Sequence, residues 1–213
     1  MLKFTLILGA CLVALAGVAL AQSGEIGFFG GGSFYMNPTL KGASAEVKAG
    51  FANGFGGGVA VGHNTTDHLG GEIRYMFQQH DLEASSGNTQ VTKSGRSHAI
   101  HYDVLIYATG RSSRVRPFVA VGGGVKQYSG TGAESASQPL GNVVILTTTN
   151  QWKPLITFGG GVKIAVSKHV GLRLEVRDYL TPFPTDVVTP VPPVKHDGWL
   201  HNIVPMVGLN FMF

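Results

Sequence analysis

The sequence predicts an all-β protein, an eight-stranded antiparallel up-and-down transmembrane β-barrel that follows a cleaved signal peptide. Three observations carry this prediction. The chain begins with an apolar run, its later segments alternate bulky side chains with small or polar ones, and its connectors alternate between short and long. Alternation with a period of two indicates strands rather than helices.

The composition excludes several classes of protein. The chain has 213 residues, 44% of them hydrophobic, which is too apolar for a disordered protein. Its formal net charge of +4 is small and scattered along the chain, so we expect no nucleic-acid partner. The single cysteine, Cys11, excludes a disulfide scaffold and a cysteine nucleophile in the rest of the chain.

The first 21 residues have the features of a signal peptide. Lys3 provides a positive start, residues 4–21 are uncharged and apolar, and Ala19-Leu20-Ala21 supplies a small-residue cleavage site. We therefore predict cleavage after Ala21 and a barrel domain over residues 22–213. An uncleaved membrane helix and a lipoprotein signal ending at Cys11 are the alternatives.

The alternation is clearest in two segments. In residues 51–62 the bulky side chains, Phe51, Phe55, Val59 and Val61, all stand at odd positions, and the even positions are all glycine or alanine. In residues 170–177 aliphatic side chains alternate with glycine or charged residues. Extending this pattern predicts strands over 26–36, 48–62, 69–82, 94–108, 115–128, 151–165, 170–181 and 199–213. The short connectors are 63–68, 109–114 and 166–169, and the long ones are 37–47, 83–93, 129–150 and 182–198.

Short turns at one end and long loops at the other are typical of an outer-membrane barrel with both termini in the periplasm. Lipid offers no hydrogen-bond partners, so a sheet in a bilayer must close on itself and turn its apolar face outward. Inward glycines would then leave room for long polar side chains in a narrow lumen. A soluble lipocalin-like cup, with the apolar face inward, has the same alternation and is the alternative.

The C-terminal strand favours the outer-membrane barrel over the soluble cup. Its last alternate residues, the predicted assembly signal, are Val207, Leu209, Phe211 and Phe213. They resemble the C-terminal signature of bacterial outer-membrane proteins, which implies the outer membrane as location and the barrel assembly machinery and periplasmic chaperones as partners. Residues 69–75 and 171–179 resemble the outer membrane protein beta-barrel domain family, within the OmpA-like and OmpX-like eight-stranded group. Since the chain ends at Phe213, we expect no OmpA-type peptidoglycan-binding domain.

Charged side chains on the inward parity form the predicted lumen network. They are Glu72, Arg74, Asp103, Lys126, Lys163, Arg173, Glu175 and Arg177. Because an isolated buried charge is costly, we expect these groups to pair with one another. The network predicts a structural plug, and a narrow path for small solutes is the alternative.

Aromatic residues near the long-loop ends of the strands form the predicted girdle. They are Phe34, Phe51, Phe77, Trp152 and Trp199. Such belts mark the membrane interfaces of barrels, and carbohydrate stacking is the functional alternative.

The sequence offers weak signals for a metal or an enzyme. His63 and His68 share a turn with Asp67, but no histidine spacing matches a zinc site, so we expect no metal and no cofactor. Some eight-stranded barrels deacylate lipid with an outward Ser, His and carboxylate. Their His-x-Ser pair is missing here, which leaves Ser97 with His98 as the remaining candidate, and we predict a protein that is not an enzyme.

The predicted function is a structural outer-membrane barrel, in contact with outer-membrane lipid and lipopolysaccharide, that displays loops for adhesion or binding. Loops 129–150 and 182–198 are longer than a hairpin needs, so we expect them to be mobile and to hold a host or surface ligand. A narrow channel and a lipid A-modifying enzyme are the two alternatives.

Overall fold

The computed structural model describes residues 24–41, 46–132, 138–192, 194 and 198–213. The predicted signal peptide, residues 1–21, lies outside this part of the chain. The described residues contain twelve strands and no helix. The strands are β1 Gly24–Met36, β2 Thr39–Lys41, β3 Glu46–Phe51, β4 Gly54–Asn64, β5 Leu69–Ser86, β6 Thr89–Tyr107, β7 Val115–Gly130, β8 Val144–Leu146, β9 Asn150–Ala165, β10 Val170–Pro182, β11 Val188–Pro190 and β12 Trp199–Met212.

Eight of these strands form the closed barrel that the sequence predicts. The order around the ring is β1, β4, β5, β6, β7, β9, β10 and β12, and β12 returns to pair with β1. Each pair of neighbours is antiparallel. Joining the first strand to the last removes the open sheet edge that lipid could not satisfy.

The outer wall is apolar along most of its height. Outward residues such as Phe28, Ile73, Val119 and Val176 are about half exposed, while the positions between them point into the barrel. The soluble cup is therefore wrong, because its apolar side chains would fill the inside. The described part of the chain contains no helix long and apolar enough to cross a membrane.

The segment predicted as one strand over 48–62 is broken by an extra residue. Phe51 of β3 pairs with Leu82, while Phe55 of β4 pairs with Gln79, so four steps on one strand oppose three on the other. A bulge of this kind reverses which face the following side chains take. Odd positions therefore point inward in β3 and outward in β4.

The predicted loop 83–93 is wrong, because β5 and β6 extend to Ser86 and Thr89 and enclose a two-residue turn. Gly87 adopts a φ of 56° there, a left-handed conformation that glycine reaches without a steric penalty. The result is a hairpin that rises beyond the barrel at the long-loop end.

The two longest loops, which the sequence predicts to be mobile, are paired with each other and packed on the barrel in their described parts. Strand β8 of loop 129–150 pairs with β11 of loop 182–198 to form a small second sheet. Both loops bury apolar side chains against the barrel strands. The cluster they complete, here called the loop cluster, contains Tyr35, Leu40, Val47, Ala49, Phe51, Leu82, Ala84, Tyr128, Leu140, Val143, Val144, Leu146, Phe183, Val187, Val188, Val194 and Leu200.

Candidate functional site

The centre of the lumen holds a network of ion pairs built from two strands on opposite sides of the barrel. Glu72 and Arg74 project inward from β5, and Arg173, Glu175 and Arg177 project inward from β10 across the barrel. Within each set the residues are two positions apart, which places them on the same face of their strand. All five side chains are at most 4% exposed.

Glu72 is the central acceptor of this network. Its carboxylate accepts hydrogen bonds from Arg74 at 2.7 Å, from Arg173 at 2.7 and 3.0 Å, and from Arg177 at 3.0 Å. Glu175 accepts from the same three arginines, at 2.8 Å in the case of Arg173. Charge-assisted bonds of this kind fix the geometry of every member.

Asp103 is the third carboxylate of the network and balances the third guanidinium group, because Glu72 and Glu175 can balance only two. Its Oδ2 lies 3.1 Å from Nη1 of Arg177 and 3.1 Å from Nδ1 of His101, and Thr157 donates a hydrogen bond to Oδ1. Three guanidinium groups thus face three carboxylates. A buried cluster with balanced charge avoids the penalty of an uncompensated ion.

A separate pair closes the short-turn end of the lumen. Lys163 of β9 donates to the Glu25 carboxylate and, at 2.7 Å, to the Tyr107 hydroxyl. Asn210 donates to the other Glu25 oxygen at 3.2 Å. Glu25 was missed from the sequence because the first strand was predicted to begin at residue 26, although Glu25 shares the inward parity of Phe29.

Glycines on the neighbouring strands leave the space that these long side chains occupy. A Cβ atom at Gly159 would approach Cδ of Arg177 to 2.9 Å, and one at Gly161 would approach Cβ of Glu175 to 2.7 Å. Such distances are too short for carbon atoms, so both positions require glycine. The glycine excess in the sequence therefore has a packing cause at the network.

Lys126 lies in the lumen but outside the ion-pair network. Its ammonium group donates to Oδ1 of Asn202 at 2.8 Å and lies 5.0 to 5.5 Å from the ring centres of Tyr128, Tyr35 and Tyr179. Among the described residues, no carboxylate forms an ion pair with it. Neutral oxygens and aromatic faces surround this buried cation.

Above Lys126, the lumen becomes apolar and joins the loop cluster. Phe51 stacks on Tyr128 at 4.9 Å between ring centres and contacts Tyr35 and His80 edge-on or at a tilt. The predicted place of Phe51 in the outer girdle is therefore wrong. The bulge after β3 turns its side chain inward, where it is 1% exposed.

The remaining girdle residues lie on the outer wall. Phe34, Trp152 and Trp199 are 47%, 55% and 50% exposed, and Phe77 is half-buried beside the His98 ring. The predicted assembly signal also lies outward, with Val207, Leu209, Phe211 and Phe213 all exposed.

The structure separates Ser97 and His98, the two residues considered as a catalytic pair. Ser97 points inward and lies 3.2 Å from Nε2 of His80, whereas its neighbour His98 points outward. The other ring nitrogen of His80 has no hydrogen-bond partner in the described structure, so no carboxylate completes a triad. Within the same residues, no three His, Cys, Asp or Glu side chains converge on a metal position.

Comparison with known proteins gives the family. The outer membrane protein beta-barrel domain matches residues 8–211, nearly the whole chain. This chain belongs to that family. Family membership places it in the bacterial outer membrane, and the fold of this outer membrane barrel agrees. No curated protein sequence matches it.

Solved structures share the fold at low sequence identity. Neisserial surface protein A is 13% identical with a TM-score of 0.57, over 91% of this chain and 98% of that one. OprG from Pseudomonas aeruginosa is 14% identical with a TM-score of 0.55, over 90% and 97%. AlkL, solved in lipid bilayers, is 12% identical with a TM-score of 0.51, over 90% of each chain.

Proposed function

We propose that this outer membrane barrel is a non-enzymatic envelope protein that presents a folded binding surface at its long-loop end. The loop cluster carries the proposal, because it fixes both long loops to the barrel. Val187 and Val188 of one loop and Val143 and Val144 of the other are at most 2% exposed. A surface held in this way keeps one shape for a host or surface ligand, at a low entropic cost on binding.

Main-chain hydrogen bonds add to the rigidity of this surface. Thr147 N donates to Val187 O at 3.0 Å, and Val191 N donates to Val143 O at 2.8 Å. The Thr147 hydroxyl donates to Asp186 O at 2.6 Å. Loops tied together by their own backbone form a platform rather than two independent arms.

We place the short turns and both chain termini in the periplasm, and the loop platform outside the cell. The three short turns, 63–68, 109–114 and 166–169, lie at the end where β1 begins and β12 ends. Outer-membrane barrels carry their short turns on the periplasmic side. During biogenesis the assembly machinery and periplasmic chaperones would act on the outward C-terminal residues.

Two features argue against the channel alternative. The ion-pair network fills the middle of the lumen with side chains that are almost wholly buried, and the loop cluster fills the long-loop end with apolar ones. Opening a path would break several charge-assisted bonds and expose apolar surface. An eight-stranded barrel has an interior that its own side chains can fill.

Adjacent residues of β8 provide the test of the platform. Leu146 is 1% exposed within the loop cluster, and its neighbour Ile145 is 40% exposed. Leu146→Asp buries a charge in the cluster and should release the loops, while Ile145→Asp should not. On intact cells we expect protease to cut loops 129–150 and 182–198 in Leu146→Asp only, with heat-modifiable gel migration of the barrel retained in both.

The same pair of variants tests binding. Cells that carry Leu146→Asp should lose attachment to the surface that wild-type cells bind, and Ile145→Asp cells should keep it. If Leu146→Asp cells attach like wild type while network variants alter solute uptake in purified vesicles, the platform proposal is wrong and the channel replaces it.

A further inference from the structure

One part of the outer wall departs from the apolar rule. At the long-loop end of β6, the outward positions are occupied by Arg96 and His98. His98 is paired in register with Gln127 of β7, and Gln127 is paired with Trp152 of β9. Three neighbouring strands therefore place polar or cationic groups and an exposed indole in one row.

Trp152 indicates where this row lies relative to the membrane. Tryptophan side chains of membrane proteins concentrate at the interface between the hydrocarbon and the headgroups. Below the row the wall becomes apolar, with Ile100 and Val125 at 50% and 43% exposure. Arg96 is one outward position nearer the loops than His98, so its guanidinium lies at the level of the lipid headgroups.

Arg96 differs from the arginines of the lumen in having no partner. Its side chain is exposed, and no described residue forms a hydrogen bond or an ion pair with it. The nearest outward carboxylate on β5, Asp81, pairs in register with Ser94 and makes no ion pair with Arg96 in the described structure. A cation on a lipid-facing wall is costly unless an anion meets it.

His98 supports the same kind of ligand from one step below. The Tyr75 hydroxyl lies 2.8 Å from Nδ1 of His98, and the ring centres of Phe77 and His98 are 5.2 Å apart. Because Nδ1 is occupied, Nε2 is the ring nitrogen that remains for an outside partner. A guanidinium and an imidazole together suit a phosphate group, which accepts several hydrogen bonds at once.

We propose that Tyr75, Arg96, His98 and Gln127, here called the outer-wall patch, bind the phosphate group of an anionic lipid. The acyl chains of that lipid lie along Ile100 and Val125. The patch is separate from the loop platform, and only the leaflet it faces depends on the orientation proposed above. In that orientation the ligand is a phosphate-bearing lipid of the outer leaflet.

A second outward histidine on the far side of the barrel provides an internal control. His201 of β12 has its Nδ1 2.6 Å from Oδ2 of Asp178, and it lies one outward position from Trp199. Its carboxylate partner cancels the positive charge that an imidazolium would offer. The two tryptophans therefore report on two histidines, one beside a free cation and one beside an anion.

The experiment uses each tryptophan alone. Trp199→Phe leaves Trp152 as the reporter of the patch, and Trp152→Phe leaves Trp199 as the reporter of the control. Both proteins are placed in phosphatidylcholine nanodiscs that contain a minor fraction of brominated phosphatidic acid or of brominated phosphatidylcholine. Quenching of each indole then measures the lipid next to it.

We expect brominated phosphatidic acid to be enriched about threefold to fivefold over brominated phosphatidylcholine at Trp152, and to be near equality at Trp199. Arg96→Gln in the Trp199→Phe protein should bring the ratio at Trp152 close to one. Because Arg96 is exposed, heat-modifiable migration should be unchanged. Equal ratios at the two tryptophans, or an unchanged ratio in Arg96→Gln, would overturn the proposal.

Inorganic phosphate distinguishes a lipid headgroup from a free ion. If millimolar phosphate leaves the ratio at Trp152 unchanged, the ligand is the lipid. If that concentration abolishes the enrichment, the patch prefers free phosphate to the lipid headgroup, and the proposal that a lipid is its ligand is wrong. None of these results depends on attachment or on the loop platform, so the two proposals fail separately.

Discussion

Charged side chains fill the short-turn half of the lumen, whereas mainly apolar side chains fill the half beneath the long loops. In the first, every charge of the ion-pair network meets an opposite charge within 3.2 Å. In the second, aromatic and aliphatic side chains from strands and loops pack around Phe51. The same barrel thus uses two kinds of core.

The two kinds of core should respond differently to substitution. When one partner of a buried ion pair is removed, the protein loses more stability than the intact pair contributed, because the remaining charge is left buried and unpaired. An apolar core depends on volume and shape and is less sensitive to which apolar group fills it. Single substitutions in each half can therefore test the comparison.

The largest effect is expected at Glu72, the acceptor shared by three arginines. Glu72→Gln keeps the size of the side chain but leaves Arg74, Arg173 and Arg177 with two carboxylates, Glu175 and Asp103. We expect a loss of about 3 to 5 kcal/mol in the free energy of unfolding. Urea unfolding in phosphatidylcholine vesicles, followed by heat-modifiable gel migration, measures it.

A double-mutant cycle provides the control for this effect. Adding Arg173→Met to Glu72→Gln removes the excess positive charge that the first substitution leaves, so the double variant should cost less than the sum of the two single variants by at least about 1 kcal/mol. Additive losses would show that the two side chains do not depend on each other, contrary to the bonds between them.

The ionic half could be predicted from the sequence more fully than the apolar half. In an antiparallel strand the side chains alternate, so Arg173, Glu175 and Arg177 had to share a face, and closure of the barrel made that face the inner one. The strand order followed from the short and long connectors. Glu25 was missed only because its strand was predicted to start at residue 26, two residues after Gly24, where β1 begins.

The apolar half depends on features that no local pattern contains. Phe51 and Phe55 look equivalent in the sequence, since both stand at odd positions among glycines. The bulge between them appears only when pairing with β5 is known. The loop cluster joins segments more than a hundred residues apart, and its valines show no periodicity that separates a packed loop from a free one.

The second prediction uses these two phenylalanines. Phe51 is 1% exposed in the loop cluster and Phe55 is 66% exposed on the outer wall. Phe51→Trp should lower the free energy of unfolding by about 1 to 3 kcal/mol, because a larger ring cannot fit a packed core. Phe55→Trp should change it little, because lipid adapts to the added ring.

Fluorescence checks the direction of each side chain independently. In a protein that carries Trp152→Phe and Trp199→Phe, the indole at position 55 should be quenched by brominated lipid and the one at position 51 should not. Strong quenching at position 51 would mean that the bulge is absent and that this residue belongs to the outer girdle.

The smallest expected effects concern the two buried lysines, one in each half. Lys163 pairs with Glu25 in the ionic half, and Lys126 lies among tyrosines at the edge of the apolar half. Lys163→Met leaves the Glu25 carboxylate with the Asn210 amide as its remaining donor, so we expect a loss of about 1 to 2 kcal/mol.

Lys126→Met removes a buried cation, and no carboxylate of the described residues loses an ion-pair partner by this change. Asn202 Oδ1 would keep the hydrogen bond from Gln78 at 2.8 Å, and a methionine thioether packs well against the tyrosine rings. The free energy of unfolding should therefore stay within about 1 kcal/mol of the wild-type value. Urea titrations of both variants in the same vesicles measure the difference. A larger loss for Lys126→Met than for Lys163→Met would show that the cation, rather than the apolar packing around it, holds the upper half together.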